Sequence, residues 1–160
     1  MEFDIDVSGG DIFDKDYAVC IASKDGIIKG FKISLSFVSI IKSRYEQNLY
    51  RYKKSDKSKS LLKIRLYSII IYYLFKGIKI RESLILNLCR DFSGREKDIE
   101  NNLKYFLTEK LKIKIDKFNF GKLTKDSNAD RYAYLMRKDK NNKMRIYIKI
   151  DSKDVEEFLK

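Results

Sequence analysis

The run Phe3-Asp4-Ile5-Asp6-Val7-Ser8-Gly9-Gly10 decides how this chain is read. Phe3, Ile5 and Val7 alternate with Asp4, Asp6 and Ser8, the period of a strand with one apolar and one acidic face. Aspartate has poor strand propensity, so two of them in mid-strand ask for a reason beyond folding. Gly9-Gly10 lets the chain leave the strand sharply.

Two further aspartates sit where folding does not need a carboxylate. Asp91 ends a much more apolar strand, Leu84-Ile85-Leu86-Asn87-Leu88-Cys89-Arg90-Asp91, and Asp130 opens a helix in Asp126-Ser127-Asn128-Ala129-Asp130-Arg131-Tyr132-Ala133. The chain has no histidine. It therefore lacks the usual general base, nucleophile partner and imidazole metal ligand, and clustered carboxylates around divalent metal are the main chemistry left to it.

Outward from these acids the elements follow in order. The first strand covers residues 2–8. Residues 17–23 and 27–35 read as a hairpin around Lys24-Asp25-Gly26, since Asp-Gly between β-rich runs is a strong turn signal. A helix is predicted over 36–52, with Ser36 as cap and Phe37, Ile40, Ile41, Tyr45 and Leu49 at helical spacing. A lysine-rich loop over 53–60 follows, then a helix over 61–76 that is apolar nearly all round. The fourth strand covers 83–90, and Ser93-x-x-Glu96 reads as a capping box for the next helix. Residues 111–120 alternate as a fifth strand before a helix near 128–137. The tail adds a strand over 144–150 and a short helix after Asp151.

This order, with Asp6-Val7-Ser8-Gly9-Gly10 in the first strand, the strand Leu84–Asp91 and the helix start Asn128–Leu135, resembles the ribonuclease H-like superfamily. The resemblance covers residues 1–138 and implies an α/β fold. Its sheet has five mixed strands, the first three antiparallel and the rest parallel, flanked by helices. A basic helical insertion at about 53–77 and a C-terminal extension at about 139–160 would be additions to that single domain. The resemblance further implies that Asp6, Asp91 and Asp130 hold two Mg²⁺ or Mn²⁺ ions and cut phosphodiester bonds in RNA or structured DNA. Ser8-Gly9-Gly10 favours Asp6 over Asp4, which shares its face, and Asp126 is the alternative to Asp130. An acid at the helix start also has a plain structural reading, because the helix dipole favours it there. Ribonuclease H enzymes carry a Glu early in the first helix. Residues 36–42 here hold none, and Glu46 lies about a turn late, which leaves a three-acid or a degenerate site as alternatives.

Charge points to a polyanionic partner. Residues 1–35 carry seven acids against four lysines, about −3, whereas 36–80 carry eleven Lys and Arg against two acids, about +9 of the net +12. Arg44, Arg51, Lys53, Lys54, Lys57 and Lys59, interleaved with Tyr45, Tyr50 and Tyr52, are the candidate nucleic-acid contacts. Their bland alternative is a solubilising surface over ordinary packing. The apolar excess of 61–76 suggests a second copy of the chain as partner. A catalytically degenerate binder and an oligomeric interaction module are therefore the competing functions. Cys20 and Cys89 read as small, reduced core residues. The acidic N-terminus is unlike a signal peptide and the apolar run at 69–75 is too short for a membrane, so a soluble cytosolic protein is expected. The excess of Ile, Lys and Tyr suits an AT-rich or heat-adapted genome.

Overall fold

A computed structural model describes all residues, 1–160. Its centre is one sheet of five strands, β1 (Glu2–Ser8), β2 (Ala18–Ser23), β3 (Ile28–Lys32), β4 (Leu84–Leu88) and β5 (Ile115–Phe120). The spatial order is β3-β2-β1-β4-β5. β1 runs antiparallel to β2 and β2 to β3, whereas β4 is parallel to both β1 and β5. The five-stranded mixed sheet that the resemblance implied is thus present, and it places the ends of β1 and β4 side by side.

The alternation in β1 separates the two faces of the sheet. Phe3 and Ile5 point into the main core and are fully buried. They meet α2 (Asp56–Lys76), whose Phe75 ring stands edge-on to Phe3 at 4.9 Å. The same side holds α1 (Leu35–Glu46), α3 (Glu96–Leu103), a π-helical continuation (Lys104–Lys110) and α5 (Ser152–Glu156). Phe106 and Phe158, 5.1 Å apart and edge to face, close this layer with Tyr72.

Asp4 and Asp6 face the other layer, where α4 (Asn128–Lys138) lies over β1, β2 and β3. Small side chains let it approach closely: Ala18 and Cys20 pack under Ala133 and Met136. Gly30 belongs to the same fit, since a Cβ there would run into the Met136 side chain. This close crossing sets the first turn of α4 beside the end of β1.

Several boundaries differ from the sequence reading for local reasons. α1 starts one residue earlier, capped by Ser34 rather than Ser36: the Ser34 hydroxyl accepts from the Phe37 N–H at 3.1 Å. It stops at Glu46, because Asn48 adopts a positive φ of 59°. α2 begins at Asp56, with Ser55 as cap, so half of the supposed lysine-rich loop is helix. The Ser93–Glu96 capping box does not form. Gly94 turns the chain at φ 81°, and α3 starts at Glu96 without a side-chain cap. The tail makes no regular strand over 144–150, only an isolated bridge from Tyr147 to Gly30.

The segment 61–76 forms the central helix of the core. Eleven of the side chains of α2, from Leu62 to Phe75, are buried within the chain. The apolar excess that suggested a second copy is accounted for by contacts with the sheet, α3 and α5. The extension is docked as well: buried Glu156 of α5 takes Arg44 Nε at 2.6 Å and the Tyr50 hydroxyl at 2.8 Å. No helix is long and apolar enough to cross a membrane.

Candidate functional site

A cleft of about 680 Å³ opens where the carboxyl ends of β1, β4 and β5 meet the start of α4. Ligands in open α/β sheets favour this end of parallel strands. Its lining is Asp6, Cys89, Arg90, the loop Gly121–Lys125 and Asp130.

Asp6 sits at the bottom, 8% exposed. Its own backbone geometry helps to fix it: the Val7 N–H donates to Asp6 Oδ1 at 2.8 Å. Burial raises the Asp6 carboxyl to about 6, and Asp130, close enough to share a proton with it, pushes in the same direction. The Cys89 thiol and the Val7 N–H oppose the rise by donating to the carboxylate. Two acids from distant parts of the chain, β1 and α4, are therefore held against each other. Burial, followed by the neighbouring Asp6 charge, lifts the Cys89 thiol far above its ordinary value, so it is a neutral donor rather than a nucleophile.

Asp91 stands apart from that pair. The residue is exposed overall, but its carboxylate accepts a hydrogen bond from the hydroxyl of fully buried Tyr17. Burial raises the Asp91 carboxyl, with the Tyr17 bond opposing and nearby Asp11 adding to the rise. Tyr17 is able to reach because the chain doubles back at Gly9, whose φ is 132°, and a Cβ on Gly9 would strike the Tyr17 ring at 2.9 Å. Asp6, Asp91 and Cys89 all surround one more phenol, Tyr67 of α2. Its hydroxyl is wholly buried and is the one buried side-chain polar atom left without a hydrogen-bond partner.

An unpaired buried hydroxyl costs free energy that its removal recovers, so Tyr67→Phe is expected to leave stability unchanged or raise it by up to about 1 kcal/mol. Urea denaturation of the two proteins checks this. A loss of more than about 1 kcal/mol would instead reveal a partner, such as an internal water.

The other candidates from sequence have different places. Asp4 is a brace: Asp4 Oδ1 accepts from Asn87 Nδ2 at 2.9 Å and Asp4 Oδ2 from the Ser127 hydroxyl at 2.8 Å. It ties the start of α4 to β1 and β4, and Ser127 serves that tie instead of capping the helix. Asp126 is exposed and borders a separate small cleft with Asp4 and Lys24. Glu46 ends α1 away from the cleft, facing Lys54 at 3.5 Å. No three His, Cys, Asp or Glu side chains converge as a ready set of metal ligands.

The cations of the cleft are not those singled out by charge density. Arg90, Lys122 and Lys125 rim it. Arg44 is committed to Glu156, and Lys54 lies over the Tyr45 ring at 4.1 Å. Arg51, Lys53, Lys57 and Lys59 are exposed on or near the start of α2 and do not line the cleft. Tyr45 and Tyr50 are buried, so of the interleaved tyrosines only Tyr52 is partly accessible. Arg90, adjoining Asp91, and the Lys122–Lys125 loop ahead of Asp130 were within reach of sequence inspection. Their signal was proximity to the acids rather than local charge excess.

Comparison with protein-family models, with curated proteins and with solved structures gives no match to this chain.

Proposed function

We propose that the cleft binds the phosphodiester backbone of a nucleic acid and hydrolyses it with the help of a divalent metal ion. The observation that carries this reading is the juxtaposition of Asp6 and Asp130 in a cleft that Arg90, Lys122 and Lys125 also line. Burial together with the Asp130 contact raises the Asp6 carboxyl to about 6, and a cation bound there would relieve that unfavourable environment. The donor set fits Mg²⁺ or Mn²⁺, which take one or two protein carboxylates and fill the remaining positions with water and phosphate oxygens. When bound, such an ion lowers the pKa of its water and screens the phosphate.

The chain's own residues supply the rest. Arg90, Lys122 and Lys125 attract and orient the phosphate. Asp6 and Asp130 would hold the cation, and Cys89 and the Val7 N–H keep the Asp6 carboxylate aimed. The strand order β3-β2-β1-β4-β5, antiparallel then parallel, agrees with the arrangement that a ribonuclease H-like fold implies. Within that reading α2, not α1, is the helix passing behind the acids, and it presents Tyr67 to them rather than a glutamate.

A second reading, a nucleic-acid binder without catalysis, draws on Asp91. Its carboxylate is engaged by Tyr17, so a second ion would have to draw it toward the Asp6–Asp130 pair. Labelled RNA and DNA oligonucleotides incubated with and without Mn²⁺ separate the two. Metal-dependent cleavage lost in Asp130→Asn supports the enzyme, whereas binding with no cleavage supports the binder.

Either way the rim cations carry the phosphate contacts. Replacing Arg90, Lys122 and Lys125 together by Gln is expected to flatten the slope of log affinity against log salt by about 2, given roughly 0.7–0.9 per contact. The same change at Lys53, Lys57 and Lys59 is expected to do less. Fluorescence anisotropy titrations over a salt series measure both, and an unchanged slope in the first triple variant would remove the cleft from the interface.

A further inference from the structure

Beside the acid pair lies a second cleft, of about 320 Å³, that shares Gly121, Lys122, Leu123 and Thr124 with the first. Its floor is the face of β4 and β5 that α4 does not reach. α4 covers β1 to β3 there, while Ile85, Asn87 and Asn119 remain half-exposed and Lys117 exposed. Across this floor the register aligns Asp4 with Asn87 and Asn87 with Asn119. The side chains follow as a continuous row.

The hydrogen bonds fix which way each amide in the row points. The Asn87 amide lies between two carboxylates and donates to Glu2 at 2.7 Å and to Asp4 at 2.9 Å. Both protons of Asn87 Nδ2 are thus spent. Its Oδ1 is left to accept, and it does so from Asn119 Nδ2 at 2.9 Å. That bond in turn directs the Asn119 carbonyl away from the row, with no protein partner. At the other end Glu2 uses Oε1 for both Asn87 and Lys24, leaving Oε2 free. The row therefore presents unsatisfied acceptors, Glu2 Oε2 and Asn119 Oδ1, to the cleft.

We propose that this row is a base-reading subsite for the nucleotide next to the bound phosphate, selecting bases that carry an exocyclic amine. The proposal rests on the nucleic-acid reading of the neighbouring cleft. A phosphate is disfavoured on the row by Glu2 and Asp4, whereas an amine donor suits acceptors on strands in register. Carboxylates take the amine of cytosine and Asn amides that of adenine in the same way at groove edges. A metal ion is a poorer occupant, because Asp4 is already engaged by Asn87 and Ser127. Contiguity supplies the rest: a strand whose phosphate lies at Lys122 in the first cleft passes its next base over Leu123 and Thr124 into the second.

The test compares labelled oligo(C) and oligo(U) of one length, in EDTA so that nothing is cut, on the wild type, Asn119→Ala and Glu2→Gln. Cytosine and uracil differ in the amine the subsite would read. The wild type is expected to bind oligo(C) about fivefold or more tightly than oligo(U), a modest fraction of what a fully enclosed pair of contacts gives. Both variants should bring oligo(C) down to the oligo(U) affinity, leaving oligo(U) binding and the salt slope as they were. Equal wild-type affinities, or a preference that survives both variants, overturn the subsite while leaving phosphate binding in place. Binding of neither oligonucleotide overturns the nucleic-acid reading itself, and the subsite with it.

Discussion

Asp6→Asn is expected to stabilise the metal-free protein near neutral pH by about 1–3 kcal/mol. The cause is the pressure on the Asp6 carboxylate. Burial first, then the hydrogen bond and charge of Asp130, raises it in the folded state from the ordinary 3.8 to about 6. A raised carboxyl contributes stability that is fully present below the unfolded value and is lost as pH rises through the folded one. The wild type should therefore weaken between about pH 4 and pH 6 or 7, whereas an amide at position 6 removes that dependence. The range is below the full linkage value because the carboxylate retains some contact with the cleft. The two proteins should melt together below about pH 4, diverge between about pH 4 and 6, and keep a constant gap above that, with the variant the more stable. The cation response should invert the ranking. Millimolar Mn²⁺ binds only the folded wild type and raises its melting temperature by mass action, while the variant gains little. A variant less stable than the wild type at every pH would mean that Asp6 is held by favourable bonds rather than strained by Asp130. A wild type indifferent to Mn²⁺ and Mg²⁺ would count for the non-catalytic binder.

The acid pair and its sheet were legible in sequence to different depths. Alternation at Phe3–Ser8 and the Asp25-Gly26 turn are local signals, and they located β1 and the hairpin turn, although β3 ends at Lys32, three residues before the expected end. Asp130 could be picked out as an acid at a helix start, but its pairing with Asp6 depends on how closely α4 crosses β1. That distance is set by Ala18, Cys20, Ala133 and Gly30, small residues with no individual signature. The choice between Asp4 and Asp6 is likewise a matter of partners. Both share one face, and only the positions of Asn87 and Ser127 show that Asp4 is spent as a brace. Asp91 looked like a strand-end ligand, yet the turn at Gly9 brings Tyr17 to it, a contact across 74 residues of sequence. The basic stretch lies away from the cleft. Charge density counts cations without their partners, and Arg44 and Lys54 are committed within the chain.

Phe75→Ala should cost the most, about 3–5 kcal/mol. Phe75 is completely buried, and its ring packs edge-on against Phe3 in the strand that carries Asp6. Truncation removes the transfer energy of an aromatic ring and leaves a cavity between α2 and β1 that neither element is free to fill. The same experiment addresses the character of α2. A helix apolar nearly all round is either sunk in its own core or covered by another molecule, and periodicity cannot separate the two. The structure sinks it, with the sheet on one side and α3 and α5 on the others. Destabilisation by Phe75→Ala should therefore be independent of protein concentration. At a stability typical of a domain of this size, so large a loss would leave a substantial unfolded fraction at physiological temperature. Ile70→Ala, one turn and a half away and equally buried, should cost about 2–5 kcal/mol by the same mechanism. If the midpoints of the wild type and both variants instead climbed with concentration from micromolar to hundreds of micromolar, folding would be linked to association. The apolar face of α2 would then belong to an interface between chains. If they do not, the motive for a second copy disappears, and the cleft at the end of β1 is a site that one chain completes.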